Sequence, residues 1–205
     1  MVDEMDGGPD ESDVDGRHQR RSRNKTAVLD AYLDLITEGN EQPSVSQVAV
    51  RSGVSHRSVF RYFADKDDLA RSSIERHLTR IQPFLWIQFH PEETLDQRID
   101  RVIAARLKLF PVIDGVARLQ RRLAQSNAVV RETLTRNRVL ARAQLRWLFS
   151  PELDAMEPDA AMDALYGVDI MCSFESGDLL IHDIQLDEVA ATKVLHRAVH
   201  ALLTP

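Results

Sequence analysis

Between Ser44 and Lys66 the chain concentrates side chains that can bond to anions and to flat heterocycles. They are the hydroxyls of Ser44, Ser46, Ser55, Ser58 and Tyr62, the cations Arg57, Arg61 and Lys66, and the rings of His56 and Phe60. An arginine fork can grip the two acceptors on a guanine edge, lysine and hydroxyl groups suit phosphate oxygens, and an aromatic ring can meet a thymine methyl. Such chemistry requires the polar groups to share one face. Within GVSHRSVFRYFADK, residues 53–66, the apolar Val59 and Phe63 are four residues apart, one helical turn. Arg57, Ser58 and Arg61 then fall roughly opposite, where a helix seated in a major groove would present them.

Elements to hold that face are encoded on either side. Ala27, Val28, Ala31 and Leu35, with Leu29, Tyr32 and Ile36, recur at helical spacing from about Ser22 until Gly39, which predicts a first helix. Ser44-Val45-Ser46-Gln47 has capping-box spacing and predicts a short second helix to about Arg51. Gly53 supplies a turn and Ser55 a cap for a third helix over 56–63. Asp65 caps a fourth, running from Lys66 towards Pro83. Ala49, Gly53 and Val59 thus stand where two crossed helices need a small contact, a turn and a β-branched filler.

In this arrangement the chain resembles the TetR family of transcriptional regulators. The family pattern matches Ala49, Gly53, Val54, Ser55, Val59, Tyr62, Phe63, Lys66, Asp67 and Leu69 over about residues 22 to 82, and departs at Phe60, where the family usually has tyrosine. The resemblance implies DNA contacts from Ser44, Ser46, Ser55, His56, Arg57, Ser58, Phe60, Arg61, Tyr62 and Lys66. It also implies a homodimer formed through the last two long helices, and an inverted-repeat operator whose half-sites lie about 34 Å apart. A repressor released by a small-molecule effector is the expected function. A ligand-independent dimeric regulator is the alternative, and a helical enzyme the third possibility; no catalytic set of serine, cysteine or paired carboxylates stands out.

Charge is uneven along the chain. Of 205 residues with a formal charge of −6, residues 1–16 hold seven acids and no Lys or Arg, and are read as a disordered acidic tail. Residues 17–66 carry nine bases against five acids, so the segment with DNA chemistry is locally basic. Arg17 to Lys25 form a basic run that can reach phosphates or a neighbouring groove.

Residues 83–205 are expected to form a helical ligand-binding and dimerisation domain, after a DNA-binding domain over 17–82 with the helix-turn-helix at 45–64. Helices are expected over 93–110, ended by Pro111, then 113–125, 127–149, 158–182 and 186–203. The fold class is all-α, with about nine helices. The resemblance implies that the helices carrying the apolar stripes Ala161, Leu165, Val168, Cys172 and Ala191, Leu195, Ala198, Leu202 form the dimer face, and that Phe84, Trp86, Phe110, Trp147, Met171 and Phe174 lie on helices enclosing an effector pocket. Residues 118–149 contain eight arginines and one acid, while 150–205 contain eleven acids and two bases. Charge complementarity between helices or subunits explains this more simply than an anionic effector.

His196 and His200 have metal-ligand spacing, but they fall opposite the apolar face with Lys193, which reads as a solvated polar face; no metal or cofactor is expected. The single Cys172 excludes an intrachain disulfide and sits on an apolar stripe as a small buried side chain. With no apolar run of about 18 residues, a cytoplasmic location away from membranes is expected.

Overall fold

The computed structural model describes residues 11–204, all helices and their connections. The expected disorder of residues 1–10 lies outside the described residues. The chain divides into two compact units, one ending at Thr79 and one starting at Arg80, with the division inside a helix.

In the first unit α1 spans Glu11–Thr37, α2 Val45–Ser52, α3 His56–Tyr62, and α4 begins at Lys66, ending at Leu85. The first helix therefore starts eleven residues earlier than its apolar spacing suggests and includes residues 11–16, which are not coil. Its apolar stripe begins only at Val28, which is why the sequence pattern missed the polar turns. Val28, Tyr32, Leu33 and Ile36 of α1 pack with Val48, Val54, Val59 and Phe63 and with Leu69, Ala70 and Ile74 to make the core of the unit. A forked ion pair, Arg76 Nε and Nη2 donating to the two oxygens of Asp30 at 2.6 and 2.8 Å, ties α4 to α1.

In the second unit α5 spans Leu95–Ala124, α6 Ala128–Leu148, α7 Ser150–Asp154, α8 Pro158–Met171, α9 Phe174–Asp178 and α10 Glu188–Leu203. α5 packs on α6 and α10, and α8 packs on the same two, enclosing Ile99, Val102, Ile103, Leu145, Leu148, Val168, Leu195 and Val199. Thr94 and Gln97 start α5 with a capping box, Asn127 caps α6 and Asp187 caps α10.

Four expectations are corrected here. Pro111 does not end a helix: α5 runs through it, with the ring on the exposed side and Leu107, Leu109 and Phe110 before it and Val116 and Leu119 after it buried. Burial on both sides outweighs the roughly 3 kcal/mol a mid-helix proline costs. The expected helix over 158–182 stops at Met171 and restarts as α9, because Ser173 accepts from the Ser176 N–H (3.2 Å) and caps a new turn. A π-helical turn, Leu179–Asp183, follows. Residues 150–157, left without a helix between the expected 127–149 and 158–182, contain α7. Finally, most of the stripes assigned to the dimer face point inward: Leu165, Val168, Cys172, Ala191 and Leu195 are buried in the unit's own core. Exposed apolar residues lie on other faces of the same helices, Met162, Tyr166 and Ile170 on α8 and Val194 on α10.

The arginine-rich stretch is matched by acids of the same unit. Arg118 pairs with Asp114 and Asp178, Arg121 and Arg138 with Glu175, Arg142 with Asp169 and Arg146 with Asp154. Burial pushes the Glu175 carboxyl up, but its bonds to Arg121 and its own backbone and the nearby Arg121 and Arg138 charges outweigh this and hold it below the usual range. Arg106 is different: it is buried, its Nε has no hydrogen-bond partner, and its Nη2 reaches Gln144 Oε1 only at 3.4 Å. Desolvation lowers its pKa. No helix among the described residues is long and apolar enough to cross a membrane.

Candidate nucleic-acid interface

α2 starts on the expected reciprocal cap. The Gln47 N–H donates to Ser44 Oγ (3.2 Å) and the Ser44 N–H to Gln47 Oε1 (2.8 Å), satisfying two amides that a helix start leaves without partners. Val48 is fully buried, whereas Ser44, Ser46 and Val50 are exposed. Gly53 then adopts φ 67° and ψ 13°, a left-handed conformation that costs a side-chain-bearing residue about 1–2 kcal/mol. This reversal lets Ser55 begin α3, its Oγ accepting from the Ser58 N–H at 3.3 Å.

α3 has two chemically distinct faces. Val59 and Phe63, at 2% and 3% exposure, hold it to the core, while His56, Arg57, Phe60 and Arg61 are exposed. The Phe60 ring is edge-on to His56, with centroids 4.9 Å apart, so the two rings support each other on the open surface. Arg57 and Lys66 make no ion pair among the described residues and are free to bond elsewhere. Arg51, by contrast, is spent on Glu38 through two bonds of 2.7 and 2.6 Å.

At the end of α3 the Arg61 guanidinium lies 5.4 Å over the Tyr62 ring and Arg61 Nη2 donates to Tyr62 Oη at 3.5 Å. Burial pushes the Tyr62 phenol up, but bonds from Arg61 and Asn24 and the charges of Arg61 and Arg21 outweigh it, so the pKa is lowered. The basic turns of α1 therefore stand next to the end of α3, and Lys25 lies 5.4 Å over the Phe63 ring. Asp65 accepts from the Asp68 N–H (2.7 Å) and sets exposed Lys66 at the first position of α4.

The structure thus brings Ser44, Ser46, His56, Arg57, Phe60, Arg61, Tyr62 and Lys66 together within the first unit. Ser55 and Ser58 differ: Ser55 donates to Ser58 Oγ at 3.0 Å while capping the helix, and Ser58 is half-buried, so neither hydroxyl is as free as the helical wheel suggests. Sequence reasoning passed over Val50, 85% exposed and one turn beyond Ser46, and the approach of Asn24 and Arg21 to Tyr62. The spacing from Ser46 to Val50 carried the first signal; nothing local carried the second.

The six residues assigned to an effector pocket fall in three places of the second unit. Trp86 and Trp147 lie against each other at 5.3 Å, with Trp86 66% exposed, near the sequence position of exposed Phe84. Phe110 and Phe174 meet edge-to-face at 5.9 Å under Arg118 and Arg121. Met171 lines a shallow apolar groove with Gly167, Ile170, Ala198, Ala201 and Leu202. They do not line one cavity, because aromatic and sulfur side chains on helices of this length can serve several separate packing contacts.

Comparison with known proteins agrees with this geometry. Residues 28–72 match the model of the family described as bacterial regulatory proteins, tetR family. The HTH-type transcriptional repressor Rv3405c of Mycobacterium tuberculosis is 32% identical over 99 residues, 47% of this chain and 51% of that protein. The HTH-type transcriptional repressor LfrR of Mycolicibacterium smegmatis is 27% identical over 94 residues, 45% of this chain and 49% of that protein. The chain spans about half the length of the curated relatives it matches. The fold is shared more widely. A TetR-like transcriptional regulator from Rhodococcus sp. RHA1 aligns with a TM-score of 0.61 at 16% identity, over 89% of this chain and 97% of its own. A tetR-family regulator from Streptomyces coelicolor aligns with a TM-score of 0.61 at 18% identity, over 90% and 79%. Motif and family match thus agree that residues 28–72 are similar to the helix-turn-helix domain of the tetR family of bacterial regulatory proteins, and the fold of the chain is that of TetR-like regulators.

Proposed function

We propose that the protein is a sequence-specific DNA-binding transcriptional regulator, a repressor that binds an inverted-repeat operator as a homodimer. The observation that carries this reading is the division of α3, whose Val59 and Phe63 are buried while His56, Arg57, Phe60 and Arg61 stand exposed and Arg57 has no ion-pair partner among the described residues. In this reading Arg57 grips a guanine edge and Phe60 meets a thymine methyl, while Tyr62, Lys66, Ser44 and Ser46 position the helix on phosphates. Arg20, Arg21, Arg23 and Lys25 extend the phosphate-binding surface along α1. Dimerisation is assigned to the exposed stripe Met162, Tyr166 and Ile170 of α8 with Val194 and Ala201 of α10.

Selection of bound fragments from a random DNA pool, followed by mobility shifts on the recovered sequence, tests the reading. Arg57→Ala is expected to weaken operator binding by about 1–3 kcal/mol and relax preference at one base pair, while Lys66→Ala weakens all sequences alike. Recovery of no preferred sequence sinks the proposal, and an Arg57→Ala variant with intact preference removes that residue's role.

Release of the operator by a small-molecule effector is one reading of the second unit. The scattering of the six assigned pocket residues over three places favours the other reading, in which the second unit only dimerises. A release screen on the recovered operator separates them: a compound that dissociates the complex supports an effector, and none doing so supports dimerisation alone.

A further inference from the structure

Among the described residues two arginines are buried, Arg98 and Arg106, both on α5, at 3% and 8% exposure. Arg98 donates to Glu152 at 2.6 Å, so a carboxylate meets its charge. Arg106 has no such partner: its Nε makes no hydrogen bond, and its Nη2 reaches only the neutral Gln144 Oε1, at 3.4 Å. Nε and Nη2 make up the side-on edge of a guanidinium, the edge with which Arg76 grips both oxygens of Asp30 at 2.6 and 2.8 Å. In Arg106 that edge meets no acid among the described residues.

The groups around it leave one positive charge over. Asp169 acts on Arg106 from beyond ion-pair distance, and its carboxylate is already bonded by Arg142 Nε at 2.8 Å. Cys172, also close enough to act on Arg106, is no counter-charge, because burial pushes its thiol up to about 11. Gln144 is neutral, and its Nε2 donates to the Leu85 carbonyl at 3.0 Å, which leaves only Oε1 for the guanidinium. Arginine keeps its proton in proteins, so Arg106, Arg142 and Asp169 together carry one uncompensated cation. A buried ion without a partner is among the costliest groups a core can hold, and uptake of an anion relieves it.

We propose that the side-on edge of Arg106 binds the carboxylate of a small apolar organic acid. A monoanion matches the single charge left over, whereas a phosphate dianion would leave an excess of negative charge in its place. The planar carboxylate fits the spacing of Nε and Nη2, each oxygen taking one donor. An apolar body follows from the neighbours: Ile103 and Phe110 stand about one turn before and after Arg106 on α5, and Leu145 of α6 and Cys172 belong to the same core. Gln144 is only half-buried, and rotation of its side chain opens the edge to the entering acid. The proposal rests on the reading in which the second unit takes a small molecule, and of the six residues assigned to a pocket it involves only Phe110.

The test is calorimetric titration of the full chain with benzoate and with octanoate, beside benzamide as the uncharged counterpart and sodium chloride as a bare monoanion. A carboxylate is expected to bind and to raise the thermal midpoint, while benzamide and chloride do neither. Arg106→Met is expected to weaken carboxylate binding by more than about 10-fold and, without ligand, to unfold at a higher temperature than the wild type, which loss of a merely structural arginine would not do. Arg106→Lys, which keeps the charge but not the fork, should also bind more weakly and serves if the methionine variant does not fold; Arg136→Met, on the exposed side of α6, leaves binding unchanged. No heat from the wild type with either carboxylate, or equal effects of chloride, overturns the proposal, as does undiminished affinity in the Arg106 variants. Operator release by an uncharged compound alone would leave an effector standing and remove its assigned class. Carboxylate binding without release would keep the site and remove its part in regulation.

Discussion

At the scale of single residues, burial and pairing separate side chains that look alike in sequence. Cys172 is 7% exposed, and burial pushes its thiol up to about 11, despite the nearby charge of Arg106. Thiolate is then scarce at neutral pH, so iodoacetamide is expected to leave Cys172 unmodified in the folded chain and to alkylate it fully in denaturant, as read by intact mass. Glu175 gives a pH dependence. Its folded pKa is depressed, so the stability it contributes is present above the ordinary carboxylate pKa and is lost as pH falls through the folded value. Glu175→Gln should therefore show a smaller loss of thermal stability between neutral and acidic pH than the wild type, and an unchanged loss would remove the assignment. Arg106 and Arg118 look equivalent in the sequence, yet one is buried beside a glutamine amide and the other is held between two aspartates.

At the scale of elements, what the sequence could disclose was what neighbouring residues decide. The cap of α2, the turn at Gly53 and the inward pair Val59 and Phe63 were legible because each depends on a few consecutive residues. Pro111 misled because its penalty is local whereas the burial that overrides it comes from α6, α9 and α10. The stop at Met171 was hidden for the opposite reason: Ser173 is a cap, but it lies in a run whose apolar spacing continues unbroken. On α8 and α10 periodicity revealed apolar stripes without indicating which faces the chain's own core and which remains open. The Asn24 and Arg21 contacts with Tyr62 and the Asp96 contacts with the histidines were invisible because they join residues distant in sequence. One contact between elements makes a sharp prediction. A Cβ at Gly177 would stand 2.3 Å from the Phe110 ring, so Gly177→Ala must displace that ring or α9. A loss of about 1–3 kcal/mol is expected in urea unfolding, and a neutral result would mean that α9 yields freely.

At the scale of the whole molecule, the exposed face of α8 and α10 is where the proposed homodimer would make its contact. Ile170 is 59% exposed and Tyr166 44%, with Gly167 and Ala201 nearby allowing close approach. Ile170→Asp is expected to shift the chain from dimer to monomer in sedimentation velocity with its helical circular dichroism unchanged; a dimer of undiminished strength would direct the interface elsewhere. The arginines between positions 118 and 146 bear on how such a molecule meets a polyanion. Arg118, Arg121, Arg138, Arg142 and Arg146 are already neutralised by carboxylates of their own unit, so they hold few mobile anions and attract few phosphates. In the proposed complex the ions expelled on DNA binding are therefore set by the helix-turn-helix unit, by Arg57 and Lys66, which make no ion pair among the described residues, and by the basic turns of α1. Added salt would then act on association through a handful of cations in a chain with 26 lysines and arginines.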